Sequence, residues 1–404
     1  MIPQGLNLLY LPPFSVIGRF FATAVLFGVL EGFFLTYQAA KGSLYLFPTV
    51  HFFTLGFMAL TMIGALFQML PVVAGAVIEN PLRKAFITHT LLSLGALFLP
   101  LGILFESSVF TLLSLTLLLL GTFYIVPIML KKLFSIRELR DAPRGFKYAL
   151  SSFGIGVVLG ALLILHKLGL ISVNYPYLLE IHLSFMLYGW TATLVASVSF
   201  QVIEMFFVTP PYPKFFTKNF ARILFSLLIL KVFLPYVFAV DLLISALLIT
   251  YALLTINRLK NRKRKIKDPL IYLWNISMTF LTLSALLYPF KYKFFYAFLI
   301  FFGVFVLSVI MSMMYRIIPF LVWMHLLNRG VSNPPTMHQV IDSEHIWLNF
   351  YIHIASILSL FTLLAGNSVL PSLFFFTDFL ILAVNIYRGI FTYLKFSKKF
   401  VGCL

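Results

Sequence analysis

The sequence contains little cysteine and little acidic charge. Its one cysteine, Cys403, excludes disulfides and thiolate metal sites within the chain. Twelve Asp and Glu residues stand against thirty Lys and Arg residues, so the formal net charge is +18. Charged residues make up 10% of the 404 residues, whereas hydrophobic residues make up 61%. So apolar a composition excludes an ordinary soluble domain and indicates a membrane protein.

Several sequence signals are also absent. No glycine-rich phosphate loop, Walker sequence or Ser–His–acid arrangement occurs, so ATP-driven pumping is not expected. Residues 1–13 lack a basic start and a small-residue cleavage site, so we expect no cleavable signal peptide. The chain is therefore expected to form a single integral membrane domain over residues 1–404.

Long uncharged segments recur along the chain. Because about 30 Å of hydrocarbon requires roughly 20 helical residues, each such segment predicts a transmembrane helix. Open sheets are excluded, since lipid offers no partner for unpaired backbone amides. We predict an all-α polytopic membrane protein with twelve transmembrane helices, at residues 14–39, 48–78, 86–104, 108–130, 147–168, 176–208, 218–235, 238–257, 269–288, 292–325, 343–365 and 370–394.

Basic residues are distributed unequally between the loops. The loops that follow even-numbered spans, together with the C-terminal tail, carry 21 Lys and Arg residues, whereas the opposite side carries four. This imbalance places the basic side and both termini in the cytoplasm, in what we expect to be a prokaryotic inner membrane. The basic loops would contact anionic lipid headgroups. They lack interleaved aromatic residues, so nucleic-acid binding is not expected.

A short sequence motif occurs three times, each time near the end of a long apolar segment. Its copies read Phe67-Gln68-Met69-Leu70-Pro71, Phe200-Gln201-Val202-Ile203-Glu204 and Tyr315-Arg316-Ile317-Ile318-Pro319, at offsets of 133 and 115 residues. The repeat predicts three similar modules, at about 1–140, 141–265 and 266–404, around a pseudo-threefold axis. Twelve spans then give four helices per module, and the repeated motif lies in the second helix of each module.

This arrangement resembles the catalytic subunit I of the haem–copper oxidases and the related nitric-oxide reductases and NnrS-type haem/copper membrane proteins. The local similarity is carried by His51-Phe52-Phe53-Thr54-Leu55-Gly56-Phe57 and His182-Leu183-Ser184-Phe185, where histidines open spans two and six. The resemblance implies three four-helix arcs that enclose three channels, with both termini in the cytoplasm.

The sequence departs from the catalytic members of this superfamily at their metal ligands. The resemblance implies adjacent histidines in span seven, but residues 218–239 contain none. It also implies haem-ligating histidines in span ten, where only His325 occurs, and a Tyr or Glu four residues past His182, where Met186 stands. We therefore expect no oxygen or nitric-oxide reduction, and we identify the chain as a divergent NnrS-like member that lacks most haem and copper ligands.

Polar residues inside the apolar spans, among them Glu180 in span six, are the candidate functional residues, because charges in hydrocarbon are costly. Alignment of the repeats places Gln68, Gln201 and Arg316 at one depth, with Glu204 where the other copies have proline. We expect Arg316 to pair with Glu204 or with another inward acid such as Glu31. The alternative is a buried ion pair that only fixes helix register.

Two pairs of histidines each have two interpretations. His51 and His182 are either interfacial side chains near helix starts or haem ligands that donate a neutral imidazole nitrogen to iron. His345 and His353 are eight residues apart and share a helix face, so they belong either to a solvated helix start or to a weak metal site on the cytoplasmic side. We favour the first interpretation for both pairs.

Three functions remain open on the sequence alone. We favour a haem-free transmembrane channel or transporter for small solutes or ions, with Gln68, Gln201 and Arg316 along a wet path. The alternative is an NnrS-like protein that binds haem b or copper for nitric-oxide response or electron transfer. A second alternative is a scaffold for a respiratory complex. The apolar outer surface contacts membrane lipids and would also suit a homo-oligomer, either a dimer or a trimer.

Overall fold

The computed structural model describes residues 11–137 and 141–401, without the side chains of residues 399–401. Arg140 and Cys403 lie outside the described residues. The long helices, numbered in chain order, are α1 (Phe14–Ala40), α2 (Leu46–Ala74), α3 (Pro81–Leu104), α4 (Ser108–Phe134), α5 (Asp141–Lys167), α6 (Tyr175–Phe207), α7 (Lys214–Phe233), α8 (Phe238–Lys260), α9 (Pro269–Phe290), α10 (Phe295–Asn328), α11 (Ser343–Ala365) and α12 (Val369–Val401). A short helical turn, Met337–Val340, stands between α10 and α11.

Eleven helices within the described residues are long and apolar enough to cross a membrane. The prediction of an all-α polytopic membrane protein is thereby confirmed. The exception among the twelve long helices is α7, which corresponds to the predicted span 218–235. Its 20 residues are long enough to cross, but they carry four basic side chains, at Lys214, Lys218, Arg222 and Lys231. The twelfth crossing and the three-arc arrangement stay predictions.

Local sequence explains where several helices begin. Before α6, the side chain of Asn174 accepts a hydrogen bond from the backbone N–H of Tyr177 at 3.2 Å. Before α9, Asp268 accepts from the N–H of Leu270 at 2.9 Å, and Pro269 occupies the first helical position. Both arrangements satisfy N–H groups that have no partner within the helix.

Two helices contain wide, π-helical segments. In α2 such a segment covers Phe52–Ala59, and in α6 one covers Phe185–Ala192. The two segments begin 133 residues apart, which is also the offset between Gln68 and Gln201. In α10 the helix is α-helical from Phe295 to Asn328. A wide segment thus occurs in the two helices that carry the first two copies of the repeated motif, and α10, which carries the third, is α-helical throughout.

The chain divides into two compact units. Among the described residues, the first unit contains Leu11, residues 68–80 and residues 115–309. Its interior is aromatic, with Trp190 stacked obliquely on Phe153 at a centroid distance of 4.7 Å. Helices α5 and α6 approach closely at Gly156, where an added Cβ atom would lie only 2.2 Å from the sulfur of Met186. Close approach at glycine is a common device of membrane helix packing.

The second unit contains residues 12–67, residues 81–114 and the described residues from 310 onwards. Its principal helix pair is α1 against α12. A Cβ atom added to Gly32 would lie 2.7 Å from the Cα atom of Phe376, so the two backbones nearly touch there. The ring of Phe379 packs edge-on against Phe57 of α2 at 5.2 Å.

Candidate functional site

Four ionisable side chains meet inside the first unit. Two lysines and two acids form this charge cluster, which consists of Lys231, Lys291, Glu180 and Asp241. Nζ of Lys231 lies 2.8 Å from Oε1 of Glu180 and 2.5 Å from Oδ1 of Asp241. Nζ of Lys291 lies 3.1 Å from the same oxygen of Glu180 and 2.6 Å from Oδ2 of Asp241. Each cation therefore contacts both anions, and the cluster is neutral as a whole.

The charge cluster is almost fully removed from solvent. None of its four side chains is more than 6% exposed, and that of Lys231 is 0% exposed. An unpaired ion in such a place costs several kcal/mol, so the balance of charges is a condition for burial. Two neutral groups extend the contacts. Lys231 donates to the carbonyl oxygen of Pro235 at 2.9 Å, and the hydroxyl of Tyr292 donates to Oε2 of Glu180 at 3.1 Å.

The four charges come from helix ends that the predicted topology places on one side of the membrane. Glu180 lies in the second turn of α6, Lys231 in the last turn of α7 and Asp241 in the first turn of α8. Lys291 directly follows α9. These are the ends away from the basic loops, so the predicted topology would place the cluster on the non-cytoplasmic side, and this stays a prediction.

A cavity of about 170 Å³ borders the charge cluster. Its walls are mainly leucine and aromatic side chains, and Glu180 and Lys291 form a polar edge. Tyr288 also lines the cavity, and Nζ of Lys291 lies 4.4 Å from the centre of its ring. The hydroxyl groups of Tyr288 and Ser184 are 3.1 Å apart and hydrogen-bonded.

A second polar group lies within the second unit. This His–Asp network consists of His353 and Asn349 of α11, Asp378 and Asn385 of α12, and Tyr315 of α10. Nδ1 of His353 lies 2.6 Å from Oδ2 of Asp378, and Nδ2 of Asn349 donates to Oδ1 of Asp378 at 2.6 Å. The hydroxyl of Tyr315 donates to Asn349 and accepts from Asn385 at 2.9 Å. All five side chains are buried.

The predicted pore residues lie in different surroundings. Gln68 is buried in the first unit, and neither atom of its carboxamide has a hydrogen-bond partner among the described residues. Gln201 and Glu204, also in that unit, are half-buried. In the second unit Glu31 is buried in α1 and Arg316 is half-buried in α10. The expected pairing of Arg316 with Glu204 or Glu31 stays a prediction.

Glu204 connects α6 to the loop that follows. Its Oε1 accepts a hydrogen bond from the backbone N–H of Tyr212 at 2.8 Å. The hydroxyl of Tyr212 in turn donates to Thr255 of α8 at 2.9 Å, and burial raises the pKa of this phenol above its usual value. At this position Glu204 therefore anchors a loop.

The histidines near the helix starts are held by backbone carbonyls. Nδ1 of His51 lies 2.7 Å from the carbonyl oxygen of Phe47, and Nδ1 of His182 lies 2.8 Å from that of Gly156. His345 is partly exposed, with Nδ1 3.7 Å from Asp342, whereas its predicted companion His353 is buried against Asp378. Across the described residues, no group of three or more His, Cys, Asp and Glu side chains is arranged to hold a metal ion.

Sequence reasoning noted Glu180 but missed its partners, and it missed Asp378 altogether. The missed residues carry a usable signal, since each is a charged residue inside or at the edge of an apolar helix. Pairing every such cation with every such anion would have brought Lys231, Asp241 and Lys291 into consideration. Comparison of the chain with protein-family models and with curated proteins finds no match.

Proposed function

We propose that the chain is a transmembrane transporter or channel for small solutes or ions, built on a twelve-helix arrangement similar to subunit I of the haem–copper oxidases. The proposal includes cytoplasmic termini, a prokaryotic inner membrane and a homo-oligomeric assembly. The observation that carries it is the charge cluster beside the cavity in the first unit.

A contribution to folding stability does not by itself explain why four charged side chains are buried here. Replacement of a buried ion pair by apolar side chains of similar volume is often neutral or stabilising by about 1–4 kcal/mol. Ionisable residues inside membrane helices instead mark solute and ion pathways in many transport proteins. The charge cluster combines such residues with a cavity that is large enough for a small solute, which supports a role in transport.

The His–Asp network supports the same proposal from the second unit. His353 and Asp378 are joined by a hydrogen bond of 2.6 Å within apolar helices. Chains of histidine and acidic residues serve as proton relays in membrane pumps and transporters. Gln68 adds a buried carboxamide whose donor and acceptor groups have no hydrogen-bond partner among the described residues.

Flux through reconstituted liposomes tests the proposal. Purified chain should release or accumulate at least one solute from a panel of ions, sugars, amino acids and small neutral molecules faster than empty vesicles do. The variant Glu180→Gln/Lys291→Gln removes one charge of each sign, so the cluster stays neutral, and flux should fall by at least about tenfold. Lys293→Gln is the matched control, because Lys293 is exposed nearby. Equal flux from protein-containing and empty vesicles across the panel would contradict the proposal.

The second candidate function is haem or copper binding of the NnrS type. One observation favours it: Nδ1 of His51 and Nδ1 of His182 each face a backbone carbonyl. Metal-ligating histidines commonly hold this second ring nitrogen in the same way, which fixes the tautomer and the ring orientation. At His182 the ring also faces Gly160, where an added Cβ would lie 3.0 Å from Cε1. His51 and His182 are thus the residues that would ligate iron, which would supply electron transfer or nitric-oxide binding.

An absorption spectrum separates the two functions. For a haem protein, the purified chain should show a Soret band in proportion to protein, and His182→Ala should reduce it. A transport-active preparation from haem- and copper-replete cells that shows no Soret band and contains no copper by elemental analysis would exclude the second candidate.

A further inference from the structure

We infer that Glu31 of α1 is a proton-binding site within the second unit, and that transport by this chain is coupled to the movement of protons. The inference rests on the proposed function, for which it names the coupling ion. It is carried by the burial of this carboxyl, by the lack of a partner for it among the described residues, and by its place beside the wide segment of α2.

Glu31 is the exception among the buried acids of the described residues. It is 7% exposed, and its carboxyl forms no hydrogen bond or ion pair within the part of the chain that the structure describes. The other buried acids all have partners, Glu180 and Asp241 in the charge cluster and Asp378 in the His–Asp network. Arg316 forms no ion pair with Glu31, so its expected pairing is left with Glu204 alone.

Contacts of neighbouring residues locate Glu31 on α1. Phe27 and Phe34, which precede it by four residues and follow it by three, both pack against Phe52 of α2, at centroid distances of 6.4 and 5.7 Å. Residues three and four apart share a helix face, so Glu31 lies on the face of α1 that meets α2. Gly28, three residues before Glu31, meets α12, where an added Cβ would lie 2.4 Å from a phenylalanine ring. Glu31 therefore lies where α1, α2 and α12 come together.

The part of α2 that meets this face of α1 is its wide segment. Phe52 is the first residue of that segment, Phe52–Ala59. At Gly56, also within it, an added Cβ would lie 2.3 Å from the ring of Phe27. Helical segments of this kind occur frequently at functional sites. The structure thus brings an acid without a partner against an irregular stretch of backbone.

The titratable side chains on the helices packed against α1 are engaged elsewhere. They are His51 with the carbonyl of Phe47, His89 with Thr23, Asp378 with His353, and Tyr387 with the carbonyl of Ala22. The basic residues of α3 and α12 lie toward the other end of α1, where Arg19 lies over the ring of Phe86. No charge from these helices therefore compensates an ionised Glu31.

Burial without a partner favours the protonated carboxyl, because an isolated buried carboxylate is strongly unfavourable. A metal ion needs several ligands around it, whereas a proton needs only the carboxyl that it occupies. Neither oxygen of Glu31 is among the unbonded side-chain atoms of the described residues that lack accessible surface, in contrast to both polar atoms of the Gln68 carboxamide. The carboxyl thus keeps a surface for proton exchange.

Exchange of this proton changes the packing energy of three helices. A proton from water joins one carboxylate oxygen, and its later release returns it to water and leaves a buried negative charge between α1, α2 and α12. Proton binding therefore biases one arrangement of these helices over another. Ionisable groups within membrane helices serve transporters in this way.

Infrared spectroscopy of the purified chain in lipid tests the proton site. A protonated carboxyl has a carbonyl stretching band that a carboxylate lacks, so the spectrum of the wild-type chain minus that of Glu31→Gln should contain this band at neutral pH. Glu106→Gln is the matched control, because Glu106 is exposed and its difference spectrum should contain carboxylate bands only. Glu31→Asp keeps a carboxyl and should shift the band, which preserves the test if Glu31→Gln does not fold.

A pH gradient across liposomes tests the coupling. For a solute that the wild-type chain transports, the gradient should drive accumulation above the external concentration, and a sodium gradient of equal size should not. Glu31→Gln should lose this accumulation, whereas Glu31→Asp and Glu106→Gln should retain it. Equal thermal unfolding midpoints for the wild-type chain and Glu31→Gln separate loss of the proton site from loss of the fold.

Several outcomes would overturn the inference. Absence of the carbonyl band from the difference spectrum of a folded Glu31 variant is one, and accumulation that is indifferent to the pH gradient or persists in Glu31→Gln is another. The band at Glu31 in a chain that moves no solute would retain the proton site and remove the proposed function. Flux without the band would do the reverse.

Discussion

At the scale of single residues, charge balance explains why Lys231 is tolerated. Its ammonium group is completely buried, yet it contacts both acids of the charge cluster and the carbonyl oxygen of Pro235. The three N–H donors of a lysine thus face three oxygen atoms. The stability of this site depends on the sum of its charges more than on any one contact.

Lys231→Met removes one positive charge and leaves a net charge of −1 in the buried cluster. We expect a loss of about 3–5 kcal/mol of stability, because the remaining acids are no longer balanced. Thermal unfolding in detergent measures the effect as a lower midpoint.

Addition of Asp241→Asn to the Lys231→Met chain restores neutrality and should recover most of the lost midpoint. Lys293→Met, at an exposed position, should not shift it. Failure of the second substitution to rescue the first would show that charge balance is not what stabilises the site.

Asn349 connects two members of the His–Asp network, since it forms hydrogen bonds with both Tyr315 and Asp378. Asn349→Leu keeps the approximate volume but leaves a buried hydroxyl and a buried carboxylate each short of a partner. We expect a cost of about 1–3 kcal/mol in unfolding measurements. Asn328→Leu, at the exposed end of α10, serves as the control. Equal midpoints for the two variants would mean that the network does not stabilise the fold.

At the scale of helices, glycine spacing decides which pairs pack closely. An alanine methyl at Gly32 would meet the backbone of Phe376 at 2.7 Å, and backbone cannot move aside as a side chain can. Gly32→Ala should therefore separate α1 from α12 and cost about 1–3 kcal/mol, measured by thermal unfolding.

Gly303 offers a matched comparison, because an added Cβ there meets no atom within 4 Å. Gly303→Ala should be neutral or should stabilise α10 by about 0.5–1 kcal/mol, since alanine loses less backbone entropy in a helix. Destabilisation by both substitutions would indicate a general intolerance of alanine instead of a specific contact.

Helix positions were predictable from sequence because hydrocarbon thickness sets segment length, and eleven predicted spans correspond to helices that qualify by length and composition. The π-helical segments were not predictable. In α2 and α6 the composition is that of any apolar helix, so only tertiary packing distinguishes a wide turn from a normal one. For α7, Lys231 lowers the apolarity of the helix, and only one of the two acids that pair with it, Asp241, is near in sequence.

The same limit applies to the candidate site. Isolated charges in apolar segments were visible, and Glu180 was noted for that reason. The pairing of Glu180 with Lys291 joins residues 111 positions apart, which no local pattern encodes. The repeat alignment brought Gln68, Gln201 and Arg316 to one predicted depth, yet it carries no information on which side chains are paired.

At the scale of the whole molecule, the distribution of basic loops makes a topological prediction. On a Cys403→Ser background, Lys293→Cys should react with a membrane-impermeant maleimide added to intact cells, and Lys263→Cys should not, because the loop that contains Lys263 is predicted to be cytoplasmic. Reversed labelling would invert the orientation.

The same background decides whether α7 crosses the membrane. Phe215→Cys and Tyr236→Cys lie at its two ends, and both original side chains are exposed. A crossing helix should give labelling of Tyr236→Cys from outside and of Phe215→Cys only after permeabilisation. Labelling of both from the same side would leave eleven crossings and place the two termini on opposite sides.

The connection between α7 and α8 has a consequence for biogenesis. Lys231 and Asp241 face each other across a bend of only a few residues, so either segment alone would present an uncompensated ion to lipid during synthesis, at a cost of about 2.5–3.5 kcal/mol on insertion scales. A helical hairpin that leaves the translocon with these ions already joined avoids that cost. If α7 crosses the membrane, we expect the two segments to be released together, only after the second has emerged.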